Sequence, residues 1–122
     1  MISEESLLEF SGALFKSVWA LELLLALKRR SDRAWLTSEI IRELRGSQVV
    51  AAEALNNLIG AGLVTQDDNG RYRYQPGSLA VDEMIAELEK LYALKPTSVI
   101  YKIVTSPSLK LQILSDAFRI KE

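Results

Sequence analysis

The sequence predicts a mainly α-helical domain that carries one small β-hairpin. Through most of the chain, apolar residues recur at intervals of three and four, which is the spacing of one face of an α-helix. One short stretch instead alternates tyrosine with arginine and follows an Asn-Gly pair, the strongest short-range signal for a hairpin. The length of 122 residues suits one domain better than two, so we expect a single domain over 1–122.

The first predicted element is a long N-terminal helix from about Ser6 to Arg30. One apolar set recurs at helical spacing and consists of Leu7, Phe10, Leu14, Val18, Leu21 and Leu25. A second set widens the apolar surface beyond one core face and consists of Phe15, Trp19, Leu23, Leu24 and Leu27. A helix that is apolar on two sides needs two neighbours, which we expect to be the rest of the domain and a second chain.

Residues 37–62 are predicted to form two helices joined by a tight corner. Thr37 is a suitable N-cap for the first helix, and Gly46 is a suitable left-handed stop. Ser47 is placed to cap the second helix, which is predicted to end at Gly60–Gly62 and to bury Val50, Ala54, Leu55, Leu58 and Ala61. So short a connection with a glycine makes the helices cross steeply, as in a helix-turn-helix.

The hairpin is predicted over residues 63–75, with its turn at Asp67–Gly70. The short stretch Arg33–Leu36 could form a brief strand that pairs with it. The remaining chain, about 78–121, is predicted to be a helical extension. Its helices are expected over Leu79–Leu94, from Pro96 onward, and after Ser106, where a serine N-cap precedes a proline.

The composition excludes several kinds of chemistry. The chain has no cysteine and no histidine, so disulfides, Cys/His metal sites and a histidine general base are impossible. The acidic pairs lie at the N-terminus, in the predicted turn and in the first turn of a helix, where structural roles account for them. We therefore expect no catalytic residues, no metal site and no cofactor.

Charge and hydropathy predict a cytoplasmic protein that does not enter membranes. The most apolar stretch, Val18–Leu27, contains Glu22 and is about half the ~20 residues that a spanning helix needs. The N-terminus is acidic where an export signal would be basic. Fifteen basic residues oppose sixteen acidic ones, so any attraction to nucleic acid must come from a local patch.

The stretch from about Trp35 to Gln75 resembles the winged helix-turn-helix domains of bacterial transcriptional regulators, in the broad sense that includes the MarR-like repressors. The resemblance is carried by Leu36-Thr37-Ser38-Glu39-Ile40, Ser47-Gln48-Val49-Val50, Ala54-Leu55-Asn56-Asn57-Leu58, Ala61-Gly62-Leu63-Val64 and Gly70-Arg71-Tyr72-Arg73-Tyr74. It covers about a third of the chain. It implies a DNA-binding regulator whose helix after Ser47 enters the major groove, with the hairpin as a wing beside the backbone or minor groove.

Eight residues are candidates for DNA binding. The outer face of the helix after Ser47 is predicted to offer base contacts from Gln48, Val49, Ala52 and Asn56. Asn and Gln can pair with adenine, and Val or Ala can pack on a thymine methyl group. Phosphate contacts are expected from Arg42, Arg45, Arg71 and Arg73, the last two from the wing.

The charges also support a different function. The helix after Ser47 has no lysine or arginine, its Glu53 would face the DNA, and residues 37–75 carry four arginines against five acidic residues. The alternation of arginine and tyrosine up to Tyr74 has a second explanation besides phosphate contacts. A half-exposed strand whose tyrosines cover the core and whose arginines are only solvated would show the same pattern. The alternative is therefore a protein–protein interaction module on the same scaffold, with little or no DNA binding. A homodimer through the N-terminal and C-terminal helices would place two weak half-sites on one duplex.

Overall fold

The structure is a computed structural model that describes residues 2–106, and in this range it is mainly α-helical with one two-stranded antiparallel sheet. The coarse fold predicted from the sequence is thus confirmed. In chain order the elements are α1 (Glu4–Leu14), α2 (Val18–Arg29), α3 (Thr37–Leu44), α4 (Gln48–Gly60), β1 (Val64–Gln66), β2 (Tyr72–Tyr74), α5 (Leu79–Leu94) and α6 (Pro96–Val104). The helix predicted after Ser106 lies outside the described residues.

The prediction of one long N-terminal helix is wrong, because the segment bends by 104° between α1 and α2. Phe15 leaves the helix with an extended backbone and buries its ring, and Ser17 caps α2 by accepting a hydrogen bond from the Ala20 N–H at 3.1 Å. From α4, the Asn57 side chain donates to the Leu14 carbonyl and accepts from the Lys16 N–H, both at 2.9 Å. The break is stable because main-chain groups that lose their helical partners gain these new ones.

The bend buries both apolar sides of the N-terminal segment inside one chain. Phe15, Leu23, Leu24 and Leu27, which the sequence suggested could meet a second chain, are all almost fully buried, and Trp19 is half-buried. Helix α2 packs against α4, β2 and α6, while α1 packs against α5 and α6. The second apolar set is therefore covered by the helices and hairpin of its own chain.

The corner between α3 and α4 differs in detail from the prediction. Leu36, not Thr37, stands at the N-cap of α3, and the Glu39 carboxylate accepts a hydrogen bond from its N–H at 2.9 Å. Arg45, not Gly46, takes the left-handed conformation, with φ of 55°. Gly46 is needed for another reason: a Cβ built there would lie 2.2 Å from Cζ2 of Trp19.

The hairpin pairs Val64 with Tyr74 and Gln66 with Tyr72. Gly70 has φ of +76°, and the Asp67 carboxylate closes the turn by accepting hydrogen bonds from the Asn69 and Arg71 N–H groups. The brief strand predicted at Arg33–Leu36 is present as a single bridge. Trp35 and Tyr72 exchange two main-chain hydrogen bonds of 2.7 Å, which join the hairpin to the loop before α3.

The bounds of α5 and the start of α6 at Pro96 agree with the prediction. Helix α5 is held by tyrosine–carboxylate hydrogen bonds, from Tyr74 to Asp82 and from Tyr92 to Glu22. Among residues 2–106 no single helix has both the length and the apolar character to cross a membrane; only α1 and α2 taken together, as a pair bent by 104°, would have them.

Candidate nucleic-acid interface

The outer face of α4 is open to solvent. All four predicted base contacts, Gln48, Val49, Ala52 and Asn56, are exposed, and Val49 has 67% of its surface accessible. Ser47 begins the helix by accepting a hydrogen bond from the Val50 N–H at 3.1 Å. The serine cap and the helical repeat therefore put two amide side chains and two small apolar side chains on one accessible surface.

The inner face of α4 is turned slightly from its predicted orientation. Val50 was expected to be buried but is 38% exposed, and Ala51 is fully buried in its place. The small Ala51 side chain allows close packing, while Val50 stands at the rim of a cavity with Trp19 and Lys16. Of the other residues expected inside, Ala54, Leu55 and Leu58 are buried and Ala61 is half-buried.

The four predicted phosphate contacts are all exposed. Arg42 lies in the last turn of α3 and Arg45 caps that helix. Arg71 precedes β2, and Arg73 lies within it. The two tyrosines that alternate with these arginines point inward: Tyr72 is half-buried and Tyr74 is buried. Both interpretations of the hairpin include tyrosines that face inward, so their burial does not choose between them.

An ion pair neutralises part of the negative charge of the region. Arg33 binds Glu39 at 2.5 Å, and the guanidinium of Arg33 stacks 4.0 Å from the centroid of the Trp35 ring. The pKa of Glu39 is lowered, mainly by the hydrogen bond from the Leu36 N–H and next by the hydrogen bond from Arg33. The nearby positive charge of Arg71 acts in the same direction. Glu39 thus stays ionised and holds Arg33 beside the hairpin.

The basic run at the end of α2 has a mainly structural role. Lys28 and Arg29 both pair with Glu89 of α5, at 3.0 and 3.7 Å. Arg30 lies 6.0 Å from the Trp35 ring centroid. Two of these three cations are therefore already partnered within the chain.

Lys16 is a candidate that the sequence analysis missed, because it was placed in the middle of a continuous helix. It lies at the α1–α2 break and is exposed. Two cavities of about 480 and 580 Å³ flank it, and Lys16, Asn56 and Asn57 line both. No pattern around Lys16 itself could have revealed this position, since the partner that fixes it is Asn57, 41 residues away.

In the part of the chain that the structure describes, no group of three or more acidic residues could hold a metal ion. Polar and cationic side chains instead gather around α4 and the hairpin. No protein-family model, curated protein or solved structure matches this chain.

Proposed function

We propose that this chain is a winged-helix DNA-binding regulator, that it acts in the cytoplasm as a homodimer, and that it has no catalytic activity. In this proposal α3 and α4 are the helix-turn-helix, the hairpin is the wing, and α4 enters the major groove. The observation that carries the proposal is the exposed face of α4, followed at once by a hairpin with two exposed arginines.

Each exposed group has a role in this mode of binding. Gln48 and Asn56 would pair with adenine edges, and Val49 and Ala52 would pack on thymine methyl groups. Arg42 and Arg45 would meet phosphates beside the helices, and Arg71 and Arg73 would do so from the wing. Phosphate contacts release counterions, so the affinity must fall as salt rises.

The test is the double variant Arg71→Ala with Arg73→Ala. We expect it to bind a fluorescein-labelled duplex of mixed sequence more weakly than the parent, with a salt slope smaller by about two, because each lost phosphate contact removes about one unit. Fluorescence anisotropy measures both. The matched control is Lys90→Ala with Lys95→Ala, which removes the same charge from α5 and its C-cap and should keep the slope. No salt-dependent binding by the parent at about 50 mM salt would overturn the proposal.

A homodimer would place two copies of α4 on one duplex and raise the affinity of two weak half-sites. Because the second apolar set is buried, the apolar surface that remains for such contact among residues 2–106 includes Ile100, Tyr101 and Val104 of α6. Sedimentation equilibrium of the full chain tests this part of the proposal: we expect a dimer, and a monomer at every concentration would exclude it.

A second function is favoured by a specific observation. Helix α4 has no lysine or arginine, yet Val49, Val50 and Ile59 are substantially exposed on it. Such a surface suits an apolar groove on a protein partner as well as a base edge. The alternative is therefore a protein–protein interaction module on the same scaffold.

Val49→Lys separates the two functions. On DNA, the added cation should strengthen non-specific binding and steepen the salt slope by about one unit. Against a protein groove, a charge at the centre of the contact should abolish the recovery of a single stoichiometric partner. If Val49→Lys no longer recovers the partner and neither the parent nor the variant binds DNA, the interaction module is favoured. If Val49→Lys binds DNA more strongly than the parent, the regulator is favoured.

A further inference from the structure

We propose that Lys16 is a DNA-backbone contact that supplies the cation missing from α4, and that Asn57 is the residue that positions it. This inference rests on the proposed function and adds to it a residue from outside the helix-turn-helix. It follows from three observations: how Lys16 is held, where it lies, and what it does not contact.

The main chain at Lys16 is fixed on both sides. Its N–H donates to Oδ1 of Asn57 at 2.9 Å, and Nδ2 of the same amide donates to the Leu14 carbonyl at 2.9 Å. The preceding Phe15 is anchored in the core, with 1% of its surface exposed. Lys16 therefore has a fixed backbone and an exposed side chain, so little conformational freedom of the main chain is lost when its ammonium group binds a phosphate.

Lys16 lies beside the outer face of α4. It lines one cavity with Glu53 and Asn56, and a second with Asn56 and Gly60. Because the major groove is bordered by phosphates, a cation at the flank of a helix inside it reaches the backbone rather than a base. The same charge offsets the repulsion between Glu53 and the DNA.

Within residues 2–106, no ion pair or side-chain hydrogen bond accounts for the charge of Lys16. Among residues 2–106, ion pairs involve Lys28, Arg29, Arg33, Lys90 and Lys95, but not Lys16. Its hydrogen bond to Asn57 uses only the main-chain N–H. Its ammonium group is thus available to an anionic partner, and a change of the side chain leaves the hydrogen bonds of the break intact.

The first test compares Lys16→Gln and Lys16→Arg with the parent on the same labelled duplex. We expect Lys16→Gln to lower the salt slope by about one unit, so that its affinity disadvantage shrinks by about threefold between about 50 and 200 mM salt. Lys16→Arg should retain the parent slope. Lys90→Gln, an equal charge change on an exposed lysine of α5, should also leave it unchanged.

The second test asks whether Asn57 acts through Lys16. We expect Asn57→Ala to weaken DNA binding in the parent background but to have no further effect on DNA binding in the Lys16→Gln background, because the group it positions is gone. Its effect on stability should be the same in both backgrounds. Equal losses of DNA binding in the two backgrounds would show that Asn57 does not act through Lys16.

The outcomes separate this inference from the proposed function. If the parent binds DNA and Lys16→Gln keeps the full salt slope, the assignment of Lys16 is wrong and the regulator proposal stands. If the parent does not bind DNA, both are wrong. Should Asn57→Ala fail to fold, the slopes of Lys16→Gln and Lys16→Arg still decide the assignment.

Discussion

A glycine is required at residue 46 because of a neighbouring side chain, not because of the backbone conformation at that residue. The left-handed residue at the end of α3 is Arg45, and Gly46 lies against the indole ring of Trp19. A Cβ at Gly46 would approach Cζ2 and Cε2 of that ring to 2.2 and 2.9 Å. The corner between α3 and α4 is therefore closed by contact with α2, and a side chain at residue 46 must displace the half-buried indole ring.

We expect Gly46→Ala to lower the free energy of unfolding by about 1–3 kcal/mol, since an added methyl group in a packed site forces its neighbours to move. Gly60→Ala is the matched control. A Cβ there meets nothing within 4 Å, and Gly60 lies in the last turn of α4, so the change should be neutral or stabilise by up to about 1 kcal/mol. Urea denaturation measures both, and equal effects at the two glycines would contradict the steric explanation.

At the scale of elements, the α1–α2 break depends on a contact between distant parts of the chain. Asn57 belongs to α4, yet its side-chain amide joins the end of α1 to the start of the linker before α2. One half-buried side chain thus satisfies two main-chain groups and ties α4 to the end of α1 and to the linker that follows it. Its exposed neighbour, Asn56, faces outward on the same helix.

We expect Asn57→Ala to destabilise the fold by about 1–3 kcal/mol, because the Leu14 carbonyl and the Lys16 N–H both lose their partner. Asn56→Ala makes the same chemical change one residue earlier on an exposed face and should shift stability by less than about 0.5 kcal/mol. Thermal unfolding followed by circular dichroism compares the two. A small effect at Asn57 would mean that the bend is maintained by core packing alone.

These elements explain why some of the structure could be predicted from the sequence and some could not. Local signals were sufficient for α5 and for the Asn-Gly hairpin, because caps, turn residues and apolar spacing act over a few residues. They located the corner between α3 and α4 but not its details, since the role of Gly46 depends on Trp19 of α2. The α1–α2 break was missed because apolar residues continue through it and its partner is distant in sequence. The exposed face of α4 was predicted correctly from helical geometry, whereas Lys16 became a candidate only once the bend had brought it beside Asn56.

At the scale of the whole molecule, two tyrosines attach α5 to the rest of the fold. Tyr74 of β2 donates to Asp82 at the start of α5, at 2.6 Å, and Tyr92 near its end donates to Glu22 of α2, at 2.5 Å. Burial raises the pKa of both hydroxyl groups, and the carboxylates add to the shift, which brings the pKa of Tyr92 to about 12. Both hydrogen bonds need the protonated tyrosine.

The fold should therefore lose stability in alkali. The pKa of Tyr92 is about 12 in the folded chain and about 10 in the unfolded chain. Between these values the unfolded chain binds fewer protons than the folded chain. The contribution of the Tyr92–Glu22 hydrogen bond to stability is therefore fully present below about pH 10 and is lost as pH rises toward 12.

Tyr92→Phe should lower the free energy of unfolding by about 1 kcal/mol at pH 8 and should flatten the decline of stability with pH, as followed by urea denaturation from pH 8 to 11.5. Tyr101→Phe changes an exposed tyrosine of α6 and should keep the parent's pH dependence. If the stability of Tyr92→Phe falls with pH as steeply as that of the parent, the hydrogen bond from Tyr92 to Glu22 does not cause the alkaline loss of stability.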